Sequence, residues 1–96
     1  MERFKMGIES WQIEVAKEAQ NDSIKLGRAG LKSKVEKLKA ILEENPFQNP
    51  PAYKKLTGHA NRYSRRIDIK HRLEYEVYKN ERIVKILRMW AHYSDN

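Results

Sequence analysis

The chain contains no cysteine, which excludes a disulfide framework, a thiolate metal site and a cysteine nucleophile. That absence fits a reducing compartment. Histidine is scarce too: His59, His71 and His92 stand apart, without His-x-His or His-x-x-x-His spacing, so neither a metal nor another cofactor is expected. No run of about 18 apolar residues occurs, so no membrane-spanning segment is expected. The first residues carry charge where a signal peptide needs an apolar stretch. The chain lacks a Gly-x-Gly-x-x-Gly or Gly-Lys-Ser/Thr phosphate loop, and no nucleophile elbow surrounds Ser10, Ser23, Ser33, Ser64 or Ser94. At 96 residues there is room for one domain, which hides only about two-thirds of the surface its unfolded form exposes.

What the chain has in excess is positive charge. Twenty Lys+Arg against 13 Asp+Glu leave a net charge of +7, with an isoelectric point near 9.7. Such a small basic domain attracts polyanions: nucleic acid, anionic lipid or an acidic protein segment. A basic surface kept for solubility is the plainer reading. With 40% apolar residues the chain has the means to fold.

Residues 1–10 have no usable period and read as a flexible extension ahead of a single domain spanning 11–96. Trp11 to Val15 alternates apolar and polar residues, the pattern of a half-buried strand. Ala16, Ala19, Ser23 and Leu26 then fall at helical spacing, and Gly27 and Gly30 punctuate that helix. Leu31, Val35, Leu38 and Leu42 form a stronger stripe, with Lys32, Lys34, Lys37 and Lys39 on the other face. This second helix ends near Glu44, because Pro46 disfavours helix in the residue before it. Pro46 to Pro51 reads as a stiff loop.

From Tyr63 the period is two. Tyr63, Arg65, Ile67 and Ile69 share one strand face, with Ser64, Arg66 and Asp68 on the other. Leu73, Tyr75 and Val77 alternate with Arg72, Glu74, Glu76 and Tyr78 on the next strand, and Lys79-Asn80-Glu81 is short enough for a hairpin. The last strand, Arg82 to about Trp90, is nearly continuously apolar, as a central strand is. The order β-α-α-β-β-β specifies an α+β fold in which helices cover one face of an antiparallel sheet and leave the other open.

That open face carries the candidate chemistry. Antiparallel pairing brings Arg66 and Arg72 to one side, with His92 and Tyr93 at the end of the neighbouring strand. Guanidinium forks match phosphate oxygens and do not lose their charge. A histidine titrates near neutrality, and a tyrosine hydroxyl donates a proton or its ring stacks on a base. Together these groups suit metal-free RNA cleavage. The same arginines, beside Asp68, Glu74 and Glu76, equally suit cross-strand ion pairs worth under about 1 kcal/mol. Lys54 and Lys55, with Arg65, are candidates for gripping an RNA backbone. His59 and His71 read as surface residues in a loop and at a hairpin.

The string Pro46-Phe47, Lys54-Lys55-Leu56-Thr57-Gly58, Tyr63-Ser64-Arg65-Arg66-Ile67, His71-Arg72-Leu73 with Tyr75 and Val77, closing on His92-Tyr93, resembles the Txe/YoeB toxins of the RelE superfamily. The resemblance runs from about Trp11 to Tyr93. It implies a microbial-ribonuclease-like fold and a cytoplasmic, ribosome-dependent endoribonuclease. Such an enzyme cuts messenger RNA in the A site, beside the RNA of the small ribosomal subunit, without metal, and arrests translation. It implies 2′-hydroxyl attack leaving a 2′,3′-cyclic phosphate or a 3′-phosphate. An acidic antitoxin as partner, self-pairing, and operator DNA contacted only through the antitoxin complex are implied as well. Position by position, Arg66 and Arg72 match the phosphate-binding arginines, His92 the terminal acid/base and Tyr93 the base-contacting or proton-handling tyrosine. An ungapped alignment puts Pro50 where the pattern usually carries a glutamate, leaving His92 or another group to take the 2′-proton. Ser94-Asp95-Asn96 continue past the usual His-Tyr end, and Trp90 is a bulky departure just before His92. The competing reading is a degenerate, non-catalytic module that binds RNA or an antitoxin. A DNA-binding repressor is a weaker third, since no helix-turn-helix is apparent.

Overall fold

The computed structural model describes residues 10–92. Of the extension expected over residues 1–10, all but Ser10 lies outside the described residues, as do Tyr93 to Asn96.

The elements are β1 (Gln12–Val15), α1 (Lys17–Arg28), α2 (Lys32–Glu44), β2 (Tyr53–Lys55), β3 (Arg62–Arg66), β4 (His71–Tyr78) and β5 (Ile83–His92). They form one five-stranded sheet in the order β1-β5-β4-β3-β2. The α+β architecture anticipated from the periodicity is present, with two refinements. β1 pairs parallel to β5, so the sheet is mixed. A short strand, β2, extends the antiparallel part by pairing with β3.

Helix α1 closes with a Schellman motif: the Leu31 amide donates to Leu26 O at 2.9 Å and the Gly30 amide to Gly27 O at 3.1 Å. Gly30 sits at φ 79°, a left-handed conformation that favours glycine. Gly27 is an ordinary helical residue. Helix α2 buries Val35, Leu38 and Leu42, as its stripe requires, and ends before Pro46. The two helices share a core with Leu73, Tyr75 and Val77 of β4 and Val84, Ile86 and Met89 of β5. Beside that core, Phe47 packs edge-on against Trp11, Tyr53 and Tyr63, with ring centroids 5.5–6.5 Å apart.

β3 ends at Arg66, and residues 67–70 make a tight connection rather than continuing the strand. Asp68 accounts for this: its Oδ1 accepts the Lys70 amide at 2.9 Å and the His71 amide at 2.7 Å, a side-chain-driven turn. Ile69, expected on the apolar face, is therefore 77% exposed. The β4–β5 register slips between Tyr75 and Glu74 and again between Glu74 and Arg72. Such bulges carry one strand past its partner by an extra residue, which helps β5 reach His92.

Candidate active site

Alternation along β4 sends Leu73, Tyr75 and Val77 into the core, so Arg72, Glu74 and Glu76 belong to the opposite face. The pairings extend that face into rows. Arg62 lies opposite Glu76, Ser64 opposite Glu74, and Arg66 opposite Arg72. On the other flank of β4, Lys85, Arg88 and Ala91 of β5 face Glu76, Glu74 and Arg72. Lys54 joins the middle row through its pairing with Ser64.

The two arginines at the end of the sheet differ in exposure. Arg66 is exposed. Arg72 is 8% exposed, and its Nε donates to Ser64 Oγ at 2.8 Å, with Nη2 3.5 Å from Ser64 O. One guanidinium is thus fixed against β3 while its cross-strand neighbour lies at an exposed position, a pairing that suits a phosphate approached from solvent. The far row, beyond Ser64 and Glu74, is engaged internally. Arg62 Nη2 donates to Glu76 Oε2 at 2.8 Å, and the Tyr78 hydroxyl donates to Glu76 Oε1. The Tyr78 bond and, against the opposing effect of burial, the Arg62 contact hold the Glu76 carboxyl below its ordinary value.

The backbone of β5 runs to His92, opposite His71, with Ala91 opposite Arg72. The side chains of residues 91 and 92 and all of Tyr93 lie outside the described residues. Among those described, no three His, Asp or Glu side chains converge as a metal site, and no helix is long and apolar enough to cross a membrane.

Two of the RNA-gripping candidates have other work. Arg65 is completely buried. Its guanidinium donates to Pro51 O at 2.6 Å, to Pro46 O and Gln48 O at 2.9 Å each, and to the Tyr75 hydroxyl at 3.1 Å. It also lies over the Tyr53 ring, 5.1 Å from the centroid. Arg65 cannot reach an RNA; it fastens the proline loop to the sheet. The Tyr75 hydroxyl completes the fastening by donating to Pro46 O at 3.0 Å. Burial pushes its phenol up to about 12, with the Arg65 charge opposing the rise. Lys55 gives two donors to the loop after β2, to His59 O at 3.0 Å and Ala60 O at 2.8 Å. Lys54 is exposed and on the open face.

No family model matches the sequence, and no curated protein matches it. Solved structures do. A YoeB/ParE toxin from Agrobacterium tumefaciens superposes with a TM-score of 0.75 at 24% identity, covering 85% of this chain and 99% of that one. In a heterotetrameric YoeB–YefM toxin–antitoxin complex from Staphylococcus aureus the TM-score is 0.66 at 29% identity, over 86% and 98% of the two chains. The archaeal RelE–RelB complex from Pyrococcus horikoshii gives 0.71 at 21% identity, over 84% and 93%. The chain has the fold of these YoeB and RelE toxins.

Two side chains of this YoeB-like fold escaped the sequence reading. His71 is not a surface residue: its side chain is 12% exposed, its Nδ1 lies 3.0 Å from Asp68 Oδ1, and its ring packs 4.3 Å from the Trp90 ring. The signal available was the Asp-x-x-His spacing across a tight turn. Desolvation pushes the Asp68 carboxyl up, but hydrogen bonds from the Lys70 and His71 amides and the His71 ring outweigh it and hold the group below its usual 3.8. Because the folded value is the lower one, ionised Asp68 stabilises the fold fully above the unfolded value, and that stabilisation is lost as pH falls through the folded value. Asp68→Asn is expected to lower the melting temperature at neutral pH. Its decline on acidification should be shallower than the parent's, and the two curves should converge once pH has fallen through the lowered folded value. Melting curves across that window check it.

Asp22 is the second. It is 6% exposed, and its Oδ2 accepts the Met89 amide at 3.0 Å and the Trp90 amide at 3.3 Å. The slipped register frees those amides, and a helix side chain satisfies them. Its signal was an acid on the apolar stripe Ala19-Asp22-Leu26. Asp22→Ala should cost about 2 kcal/mol, the penalty for orphaned buried donors, and speed hydrogen exchange at Met89 and Trp90 selectively.

Proposed function

We propose that the chain is the toxin half of a toxin–antitoxin module, a cytoplasmic endoribonuclease that cuts messenger RNA in the ribosomal A site without metal and so arrests translation. The observation that carries this reading is the Arg66–Arg72 pair, set opposite each other on the face that the helices leave open. The buried arginine orients a phosphate and the exposed one contacts it from the solvent side, so both stabilise the crowded phosphorus centre as charge builds there. His92, the last residue of β5, supplies proton transfer, Tyr93 after it in sequence supplies base contact, and Lys54 steadies the RNA backbone. The cleavage leaves a 2′,3′-cyclic phosphate that opens to a 3′-phosphate.

The partner follows from charge. A +7 domain is matched by an acidic antitoxin whose chain covers the open face, and opposite charge speeds and orients that encounter. Structures of similar fold include toxins bound to YefM and RelB. A homodimer is a further assembly of this kind, and operator DNA is reached through the antitoxin complex.

The test is to incubate the protein with translating ribosomes and map new messenger 5′ ends. New ends at A-site codons are expected. Stalled ribosomes without new ends would instead make the chain a non-catalytic binding module.

A further inference from the structure

Attack by a 2′-hydroxyl needs a proton acceptor, and the open face of β4 holds two carboxylates, Glu74 and Glu76. Glu76 is committed to Arg62 and Tyr78. Glu74 is not. It is half-buried on the same face as Arg72, two residues along, yet among the described residues its carboxylate takes part in no hydrogen bond or ion pair. This is unusual for its surroundings. Ser64 and Arg88 flank it across the strands, Arg66 and Arg72 form the next row, and Lys54 extends its own. Of these, Ser64 Oγ already accepts from Arg72.

Two further features single out the position. The register shifts lie on either side of Glu74, and bulges re-aim side chains beside functional sites. Glu74 also lines a concavity of about 430 Å³ with Lys54, Thr57, His59 and Arg62, within the size range of ligand pockets. An uncommitted carboxylate, re-aimed by the backbone and facing a basic hollow beside a guanidinium pair, is placed to accept a proton from a substrate rather than to hold the fold.

We propose that Glu74 is the general base of the cleavage site, acting on a ribonucleotide whose phosphate is held by Arg66 and Arg72; this rests on the nuclease reading above. The 2′-hydroxyl proton passes to the Glu74 carboxylate as the 2′-oxygen bonds to phosphorus. The bond from phosphorus to the 5′-oxygen breaks, and that oxygen leaves with a proton from the acid, the role assigned to His92. The products are a 2′,3′-cyclic phosphate and a 5′-hydroxyl. Glu74 thereby fills the role left open by Pro50.

Single-turnover cleavage of ribosome-bound message tests this with Glu74→Gln, which keeps the shape and removes the base. The rate should fall about 100-fold or more, with ribosome binding and melting temperature unchanged. Formate should restore part of the rate to Glu74→Ala. If the parent cuts and Glu74→Gln cuts within about threefold of it, well short of what a lost base costs, Glu74 is not the base and the nuclease reading stands. A loss explained by weaker binding, or one that formate does not relieve, likewise overturns the role. If the parent makes no cuts, the nuclease reading falls and this inference with it.

Discussion

Replacing Arg65 with methionine is expected to cost the fold on the order of 4 kcal/mol, a large share of the roughly 5–15 kcal/mol that holds a domain together. The guanidinium is fully buried, and its removal strands the Gln48 and Pro51 carbonyls and leaves the Pro46 carbonyl and the Tyr75 hydroxyl only each other. Those acceptors cannot turn to water while the proline loop stays packed. Arg65→Lys should recover little, because one ammonium cannot span four acceptors set around a planar fork. Urea denaturation should show a lower midpoint at unchanged slope. The adjacent Arg66→Ala, at an exposed position, should shift stability by under about 0.5 kcal/mol. Comparable losses at both positions would mean that the burial of Arg65 has been misjudged.

Arg72→Ala is expected to slow cleavage about 10²–10³-fold, the usual consequence of losing one preorganised donor to a developing charge. Arg72→Lys should remain at least about tenfold slow, since it keeps the charge and loses the fork that holds Ser64 and that, in the proposed function, faces the phosphate. Because Arg72 is itself largely buried, its variants need a stability measurement beside the rate. Arg66→Ala should reduce the rate without that complication. Parent-like rates in both alanine variants would dismiss the arginine pair as the reacting centre.

The parts of this fold that were legible in the sequence are those where one period runs long enough to declare itself. Helix α2 has its leucines at regular spacing and a proline to stop it. The Arg66–Arg72 pairing was legible because alternation on two strands and a short connection fix which residues meet. β2 was not: three residues carry too little period, and Tyr53 takes its place through aromatic packing with Phe47 and Tyr63. Arg65 shared its expected face with Tyr63, a correct sign of burial, but its partners are mainly backbone carbonyls, which leave no trace in side-chain pattern. His71 depended on a turn that Asp68 builds. The bulges around Glu74 were hidden because Leu87 and Trp90 lie in a mostly apolar stretch, where an extra residue does not break the rhythm.

The position of β5 has a consequence for the order of events during synthesis. It is made after every other described element, yet it occupies the interior of the sheet, and β1, made first, finds its strand neighbour there. A nascent chain halted before Ile83 leaves both β1 and the flank of β4 without a mate, and Arg72 without its Ala91 register. Closure is a long-range event that arrives late. The end of the sheet that carries Arg66 and Arg72 therefore comes into being only after β5 itself has been made.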